Sequence, residues 1–238
     1  MKKNINEKRY PDIEKAVAFK IAFAPVICTY GSVGWDEIQE VVCDECGHRV
    51  QFADFLAPKS ECKMDAAILD ICHYGFSIEV HDLLIDNFDI TEQDFRPIRN
   101  KTGDIVFYQI TPQYIMLPIE SANEYRRLEP CPACGAYQYR EKEYKNEAGW
   151  EYGYITKEAL DDLHDLNETY EKFNVFIPRW IVSRRVYDFL MERYSRMIFQ
   201  PLYLCIQGPS KYLLSSSEAF NGSPFSSRIT ICLGSSAN

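Results

Sequence analysis

The chain has 238 residues, of which 46% are hydrophobic and 26% charged, and its formal net charge is −9. These proportions are ordinary for a globular protein with a substantial core, and an acidic surface disfavours general binding to nucleic-acid phosphates. No apolar run approaches the roughly 20 residues needed to span a bilayer, and no apolar signal-peptide stretch follows the charged start. Because nine cysteines suit a reducing compartment, the chain is predicted to be cytoplasmic.

The first marked feature along the chain is a cysteine pair inside an extended segment. Cys43 and Cys46 stand in the sequence C-D-E-C-G, and residues 38–42 and 49–52 have the pattern of a strand on either side. A turn of this form aims two thiolates at one point, as in a zinc knuckle at the tip of a hairpin. The glycine after the second cysteine fits a backbone that leaves the turn with positive φ.

A helix-start pattern follows, and it recurs in the second half of the chain. Residues 77–84 read S-I-E-V-H-D-L-L and residues 183–190 read S-R-R-V-Y-D-F-L, so both fit S-x-x-V-x-D-x-L. Each copy follows an apolar stretch and precedes a Phe-x-Pro-aliphatic element, at 95–98 and 199–202. The serine is predicted to cap a helix, and the proline to mark the edge or the end of a sheet. The pattern predicts two strand–helix–strand units.

Other elements are predicted between and after these units. Residues 104–110 and 114–119 have the pattern of strands separated by a turn. Residues 137–144 are predicted to be extended, and residues 157–166 have the pattern of a short amphipathic helix.

The end of the chain differs in composition from the rest. Beyond residue 206, serine, glycine and proline are frequent and core-forming residues are few, so residues 207–238 are predicted to be a flexible tail. The rest, residues 1–206, is predicted to be a single α+β domain with zinc-ribbon-like hairpins. An internal duplication, with pseudo-repeats over about 38–100 and 125–204, would account for the recurring pattern.

A second cysteine pair completes a recognisable ligand set. Cys131 and Cys134 stand in C-P-A-C-G, which matches the form of the first pair. Two such pairs predict one structural Cys₄ site for Zn²⁺, with Cys43, Cys46, Cys131 and Cys134 as its ligands. Because the pairs are far apart in the sequence, the ion would join distant parts of one domain.

Three other interpretations of these cysteines are open. The pairs could be remnants of an ancestral metal site, or one of them could be a redox-active dithiol, although neither lies in a βαβ context. A zinc deaminase combines a Cys-x-Glu with Pro-Cys-x-x-Cys, and Glu45 and Pro130 stand at matching positions. Here Cys46 would be a surplus ligand, and four thiolates would leave no position for an activated water. His48 could also replace one cysteine, although a surface position is expected for it.

No catalytic constellation is recognisable in the sequence. It contains no Walker sequence, no Rossmann glycine fingerprint, no G-x-S-x-G and no H-E-x-x-H. The chain is therefore not expected to be an enzyme. An acidic segment over residues 82–94 could meet a basic partner.

Taken together, the two C-x-x-C-G pairs, the V-S-x-x-V-x-D-x-L sequence over 182–190 and the Phe-x-Pro element that follows resemble the double-CXXCG motif proteins. This bacterial family, with myxobacterial paralogues, includes immunity proteins to polymorphic toxins. The resemblance extends over about residues 35–205. It implies a cytoplasmic protein that binds and neutralises a cognate toxin, with the four cysteines holding zinc as a scaffold.

Two functions are therefore expected from different classes. The first is an immunity protein whose acidic surface meets a basic toxin, without a membrane as partner. The second is a zinc-ribbon module that binds nucleic acid or acts in transcription. The acidic residues Asp44, Glu45 and Glu129 beside the knuckles make nucleic acid the less expected partner.

Overall fold

The computed structural model describes residues 4–23, 39–43, 45–46, 48–52, 65–68, 74–100, 102–173 and 178–206. Over these ranges the chain is a mixed α+β protein, as predicted. The tail predicted over 207–238 lies outside the described residues. The helices are α1 (Ile5–Arg9), α2 (Ile78–Asn87), α3 (Glu120–Asn123), α4 (Lys157–Asp161) and α5 (Arg184–Arg193). The longest described helices have 10 residues, so none of the described helices could cross a bilayer.

The strands belong to two larger sheets and two hairpins. They are β1 (Ala16–Phe23), β2 (Gln39–Cys43), β3 (His48–Phe52), β4 (Ala66–Ile68), β5 (Tyr74–Phe76), β6 (Phe95–Arg99), β7 (Ile105–Ile110), β8 (Arg126–Arg127), β9 (Tyr139–Arg140), β10 (Tyr144–Lys145), β11 (Glu151–Ile155), β12 (Leu166–Glu168), β13 (Trp180–Ser183) and β14 (Ile198–Leu204).

The largest sheet is built around β1. Its strand order is β10-β11-β14-β1-β13-β12, with β1 antiparallel to both β13 and β14. Phe19 and Ile21 of β1 are buried on one face, and Ala18 is buried on the other. A strand covered on both faces has a nearly continuous apolar sequence, here A-V-A-F-K-I-A-F, without the alternation of a half-exposed strand. The sequence analysis did not predict this central strand.

The strand order of the second sheet is similar to that of part of the first. Its order is β4-β5-β7-β6, and every neighbouring pair is antiparallel. In both sheets a strand–helix–strand unit has a third, antiparallel strand between its two strands. In the smaller sheet the third strand is β7, which follows its unit in the sequence. In the largest sheet it is β1, which precedes its unit in the sequence.

The predicted serine caps are confirmed in both units. The Ser77 hydroxyl accepts a hydrogen bond from the Val80 N–H, and the Ser183 hydroxyl accepts one from the Val186 N–H. Each bond satisfies an amide of the first helical turn that has no partner within the helix. The helices α2 and α5 therefore begin where the repeated pattern predicted.

The described residues of both sheets share one hydrophobic core. Val80 and Leu84 of α2 lie in the same cluster as Val186 and Leu190 of α5, and all four are at most 1% exposed. Burying each such side chain contributes about 1.5–3 kcal/mol. Phe88 and Phe189, which flank this cluster, meet edge to face with 5.0 Å between ring centroids. The two units are therefore packed together through their helices.

The structure corrects the prediction made for one of the two prolines. Pro97 lies in β6, at the edge of the smaller sheet, as expected. Pro201 lies in β14, which has β1 on one side and β11 on the other. The second Phe-x-Pro element is thus part of an internal strand, and the pairing with β11 begins at Leu202, directly after the proline.

Three predicted elements are shorter than their patterns suggested. Over residues 114–119 only Ile115 forms a bridge, and it pairs with Glu168 rather than with β7. The predicted helix over 157–166 ends at Asp161, and the chain enters β12 at Leu166. The predicted extension over 137–144 contains only the two-residue strand β9 and the start of β10. Proline on both sides of 114–117 limits the first of these elements.

A buried aspartate connects the ends of the two long helices. Asp165 is 3% exposed and accepts hydrogen bonds from the Ser183 hydroxyl at 2.7 Å and from the Asp89 N–H at 3.1 Å. Its carboxylate also pairs with the guanidinium of Arg185. Burial alone would raise the pKa of Asp165, but the hydrogen bonds from Arg185, Ser183 and Asp89 hold it below the ordinary value.

Asp165→Ala is expected to lower the free energy of unfolding by about 2 kcal/mol near neutral pH, because buried donors lose their acceptor. Since the folded-state pKa is depressed, this contribution is present above about pH 4 and is lost as the pH falls through the folded-state value. Urea unfolding of wild type and variant should therefore converge as the pH falls below the folded-state pKa of Asp165. Asp161→Ala, at an exposed ion pair with Lys157, is the control and should change little at either pH. A difference in unfolding free energy between wild type and Asp165→Ala that does not change with pH would contradict this role of the Asp165 carboxylate.

Candidate metal centre

The first cysteine pair lies at the end of an antiparallel hairpin. Strands β2 and β3 pair from Gln39 opposite Phe52 to Cys43 opposite His48, with two register shifts between these ends. Cys43 is the last residue of β2 and is 8% exposed, and Cys46 is half-buried in the turn. The predicted strands on both sides of this pair are confirmed.

The second pair is held by a tighter and better-defined turn. It lies between β8 and β9, and the Cys131 N–H donates to the Ala136 carbonyl at 2.9 Å. The Gly135 N–H donates back to the Cys131 carbonyl at 2.8 Å. Gly135 has a φ of +72°, which a residue with a Cβ rarely adopts, so the predicted role of the trailing glycine is confirmed here.

The two turns bring all four predicted ligand atoms together. The Sγ atoms of the four cysteines lie within 4.8 Å of one another. Cys43 Sγ is 3.9 Å from Cys131 Sγ, and Cys46 Sγ is 3.7 Å from Cys134 Sγ. A tetrahedral ion with metal–sulfur bonds of about 2.3 Å requires sulfur–sulfur separations of about 3.8 Å. The arrangement is therefore compatible with a bound metal, and His48 is not needed as a ligand.

The environment of Cys131 favours the thiolate that a metal requires. Hydrogen bonds from the backbone N–H groups of Cys134 and Ala133 lower the pKa of the Cys131 thiol to about 7. Only the thiolate is a good metal ligand. The pKa of the Cys134 thiol in the same knuckle is raised instead: the Ala136 N–H lowers it, but burial and the hydrogen bonds with Cys131 and Cys43 outweigh that effect.

The donor set restricts what the centre can do chemically. Four thiolates in a tetrahedral arrangement suit Zn²⁺ or iron–sulfur chemistry and are poor ligands for Mg²⁺ or Ca²⁺. With all four sulfurs bound, a tetrahedral Zn²⁺ has no position left for a substrate or an activated water. A closed site of this kind stabilises structure.

A partly buried ion-pair cluster joins the second knuckle to the main sheet, and the sequence analysis missed it. Glu141 follows β9 and accepts hydrogen bonds from Lys20 Nζ at 3.2 Å and from Arg179 Nη2 at 2.6 Å. The three side chains are 18–25% exposed. Burial would raise the pKa of Glu141, but the charges of Lys20 and Arg179 hold it below the ordinary value. A signal existed, because Lys20 is the one charged residue in the apolar sequence of β1.

The same cluster lines a small pocket that opens to solvent and offers only about 20 Å³ to a water-sized molecule. Tyr125 and Thr169 also face it. Both of its cations pair with the single carboxylate of Glu141, so the three charged groups together keep one excess positive charge. The cluster fastens the hairpin to the sheet, and we assign it no chemistry.

No protein-family model, no curated protein and no solved structure matches this chain.

Proposed function

We propose that this chain is an immunity protein that neutralises a cognate toxin by binding it, on a scaffold stapled by Zn²⁺. The observation that carries the proposal is the convergence of four thiolates from two distant hairpins into a closed site. Such a site organises a surface and leaves no metal position for turnover. The cysteine pairs and the repeated helix start resemble those of the double-CXXCG proteins. We propose a toxin as the partner because of this resemblance.

We assign Zn²⁺ because it is the common resident of Cys₄ sites made from two C-x-x-C knuckles. Cys43 and Cys46 would hold it from one hairpin, and Cys131 and Cys134 from the other. Its binding would exclude alternative packings of the two hairpins. The two larger sheets share the same order of strands around a strand–helix–strand unit, and this similarity supports an internal duplication as the origin of the framework.

Charge indicates the kind of toxin that would bind. The net charge of −9 favours fast encounter with a basic protein, since complementary fields raise association rates. A nuclease carries positive charge around its phosphate-binding cleft, and an acidic inhibitor can occupy that cleft. We therefore propose a basic nuclease toxin as the partner.

Co-expression in a sensitive bacterium tests the proposal. The candidate toxin gene beside this one should kill when expressed alone and should be tolerated when this chain is co-expressed. The purified proteins should then form a one-to-one complex by size-exclusion chromatography. Killing that persists with every neighbouring candidate toxin would overturn the proposal.

One observation favours a second candidate function, the binding of a polyanion such as single-stranded nucleic acid. Arg126 and Arg140 stand directly opposite each other in the β8–β9 pair, and no described carboxylate pairs with either. Like charges in this position destabilise a hairpin. The guanidinium of Arg127 lies 3.6 Å from the centroid of the exposed Tyr137 ring. Arginines next to an exposed aromatic ring are the elements of a single-strand binding surface.

This candidate predicts salt-sensitive binding of a fluorescent oligonucleotide of about 12 nucleotides. Arg126→Gln/Arg140→Gln should weaken binding about tenfold or more, because two phosphate contacts are lost. Lys8→Gln/Arg196→Gln removes the same charge from exposed positions elsewhere and is the matched control. Fluorescence anisotropy that detects no binding by wild type at about 50 mM salt would rule out this function.

A further inference from the structure

We infer that the outer edge of the largest sheet, formed by Tyr114–Leu117, is where an extended strand of the toxin docks by pairing with the main chain. This inference rests on the proposed function and names the surface that performs it. It starts from the backbone of Ile115. The Tyr114 carbonyl accepts from the Glu168 N–H at 2.9 Å, and the Met116 N–H donates to the Glu168 carbonyl at 3.0 Å.

These two bonds leave the main-chain groups of Ile115 unused, because they involve only its neighbours Tyr114 and Met116. Along an extended segment, the N–H and C=O of alternate residues point to opposite sides, so those of Ile115 point away from β12. Neither group has a hydrogen-bond partner among the described residues, and the Leu117 N–H has none either. An open edge of this kind is a template for another strand, and natural proteins ordinarily cover or charge such edges.

Exposed apolar side chains lie along this edge, next to the Glu168–Lys172 ion pair. Ile115 is 53% exposed, Leu117 is 44% exposed and Tyr170 is 50% exposed. Along an extended segment Ile115 and Leu117 project from the same face, and Tyr170 follows two residues after Glu168, the bridge partner of Ile115. Met116 projects from the other face and is 1% exposed. The exposed side chains therefore form one contact surface beside the open backbone.

The charge of the chain decides between the possible occupants. Pro112 and Pro118 bracket the segment, so any added strand can pair with only about four of its residues. Pairing with a second copy would bring together two molecules that each carry a net charge of −9. A strand from a basic protein has the main-chain donors and acceptors, the apolar contacts and the opposite charge. Strand addition of this kind obtains affinity from the backbone and specificity from alternate side chains.

The test uses the purified toxin domain encoded beside this chain, inactivated at its catalytic site, and measures its Kd by calorimetry. Ile115→Ser/Leu117→Ser should weaken binding at least tenfold. Ile78→Ser/Ile206→Ser replaces two exposed apolar residues on other surfaces and should leave the Kd within about twofold. Hydrogen exchange should show residues 113–118 becoming protected only when the toxin is bound.

The possible outcomes separate the two proposals. Tight binding that both serine double variants retain, without protection of residues 113–118, overturns the docking surface and leaves the proposed function intact. Failure of the wild-type protein to bind any neighbouring toxin overturns both. A wild-type dimer that Ile115→Ser/Leu117→Ser dissociates would instead identify a second copy as the occupant and contradict the inference.

Discussion

Replacing Cys131 by serine is expected to release the metal and to destabilise the fold more than any other single substitution proposed for this chain. Structural zinc contributes on the order of 10 kcal/mol to the folding of a domain that depends on it. Loss of one of four thiolates removes much of that contribution, and it leaves two hairpins that are distant in sequence without their shared ion. We expect the free energy of unfolding to fall by about 5 kcal/mol or more, which is comparable to the total stability of many domains.

Urea unfolding followed by circular dichroism measures this change, and metal analysis of the same samples measures the ion. Cys205→Ser is the matched control, because Cys205 lies outside the cluster of four sulfurs. It should keep one ion per chain and unfold near the wild-type midpoint. Wild-type stability in Cys131→Ser, with the metal absent, would show that the cysteines are dispensable to the fold.

Glu141→Ala is expected to cause the second largest loss, about 3–5 kcal/mol, because it leaves Lys20 and Arg179 without the carboxylate that compensates them. The penalty arises chiefly from the two partly buried cations and only to a small extent from the lost attraction. Lys20 projects from the central strand of the sheet, so water can reach its ammonium group only in part. The hairpin that carries Cys131 and Cys134 should also lose its attachment at this point.

Glu143→Ala provides a close comparison two residues farther along the chain. Glu143 pairs with Lys145, and its side chain is 57% exposed, so its removal should cost at most about 1 kcal/mol. Chemical denaturation of both variants gives the two losses directly. Equal losses would mean that the cluster around Glu141 is a surface feature without a structural role.

The cluster of four cysteines could be predicted from sequence because each pair is marked by local chemistry. Each C-x-x-C-G requires a specific turn, and the turn at Gly135 has the backbone conformation that the glycine predicted. The meeting of the two pairs could be inferred only from the number of ligands, because a tetrahedral site needs four and a single pair offers two. The capped starts of α2 and α5 were similarly visible, because a serine cap and an apolar helical face are both local patterns.

The arrangement of the sheets could not be obtained in this way. The strand β1 is central because β13 and β14, from the far end of the chain, pair with its two edges. Nothing in the residues of β1 identifies those partners, and burial on both faces removes the alternation by which strands are recognised. The pattern predicts the edge or the end of a sheet at Pro201 because proline usually lies there, and the parallel pairing of β14 with β11 is a long-range event that the local pattern does not contain.

The role of Glu141 required the same long-range information. A glutamate directly after a knuckle strand resembles any solvated charge until its partners are known. Lys20, isolated in an apolar strand, was the one local sign that a buried acidic partner must exist.

X-ray absorption spectroscopy of the purified wild-type protein, combined with native mass spectrometry, tests the central claim most directly. We predict one zinc ion per chain, bound by four sulfur atoms at about 2.3 Å with no oxygen or nitrogen ligand. A protein that folds stably without zinc, or a zinc ion bound by fewer than four sulfurs with an open position, would contradict the account.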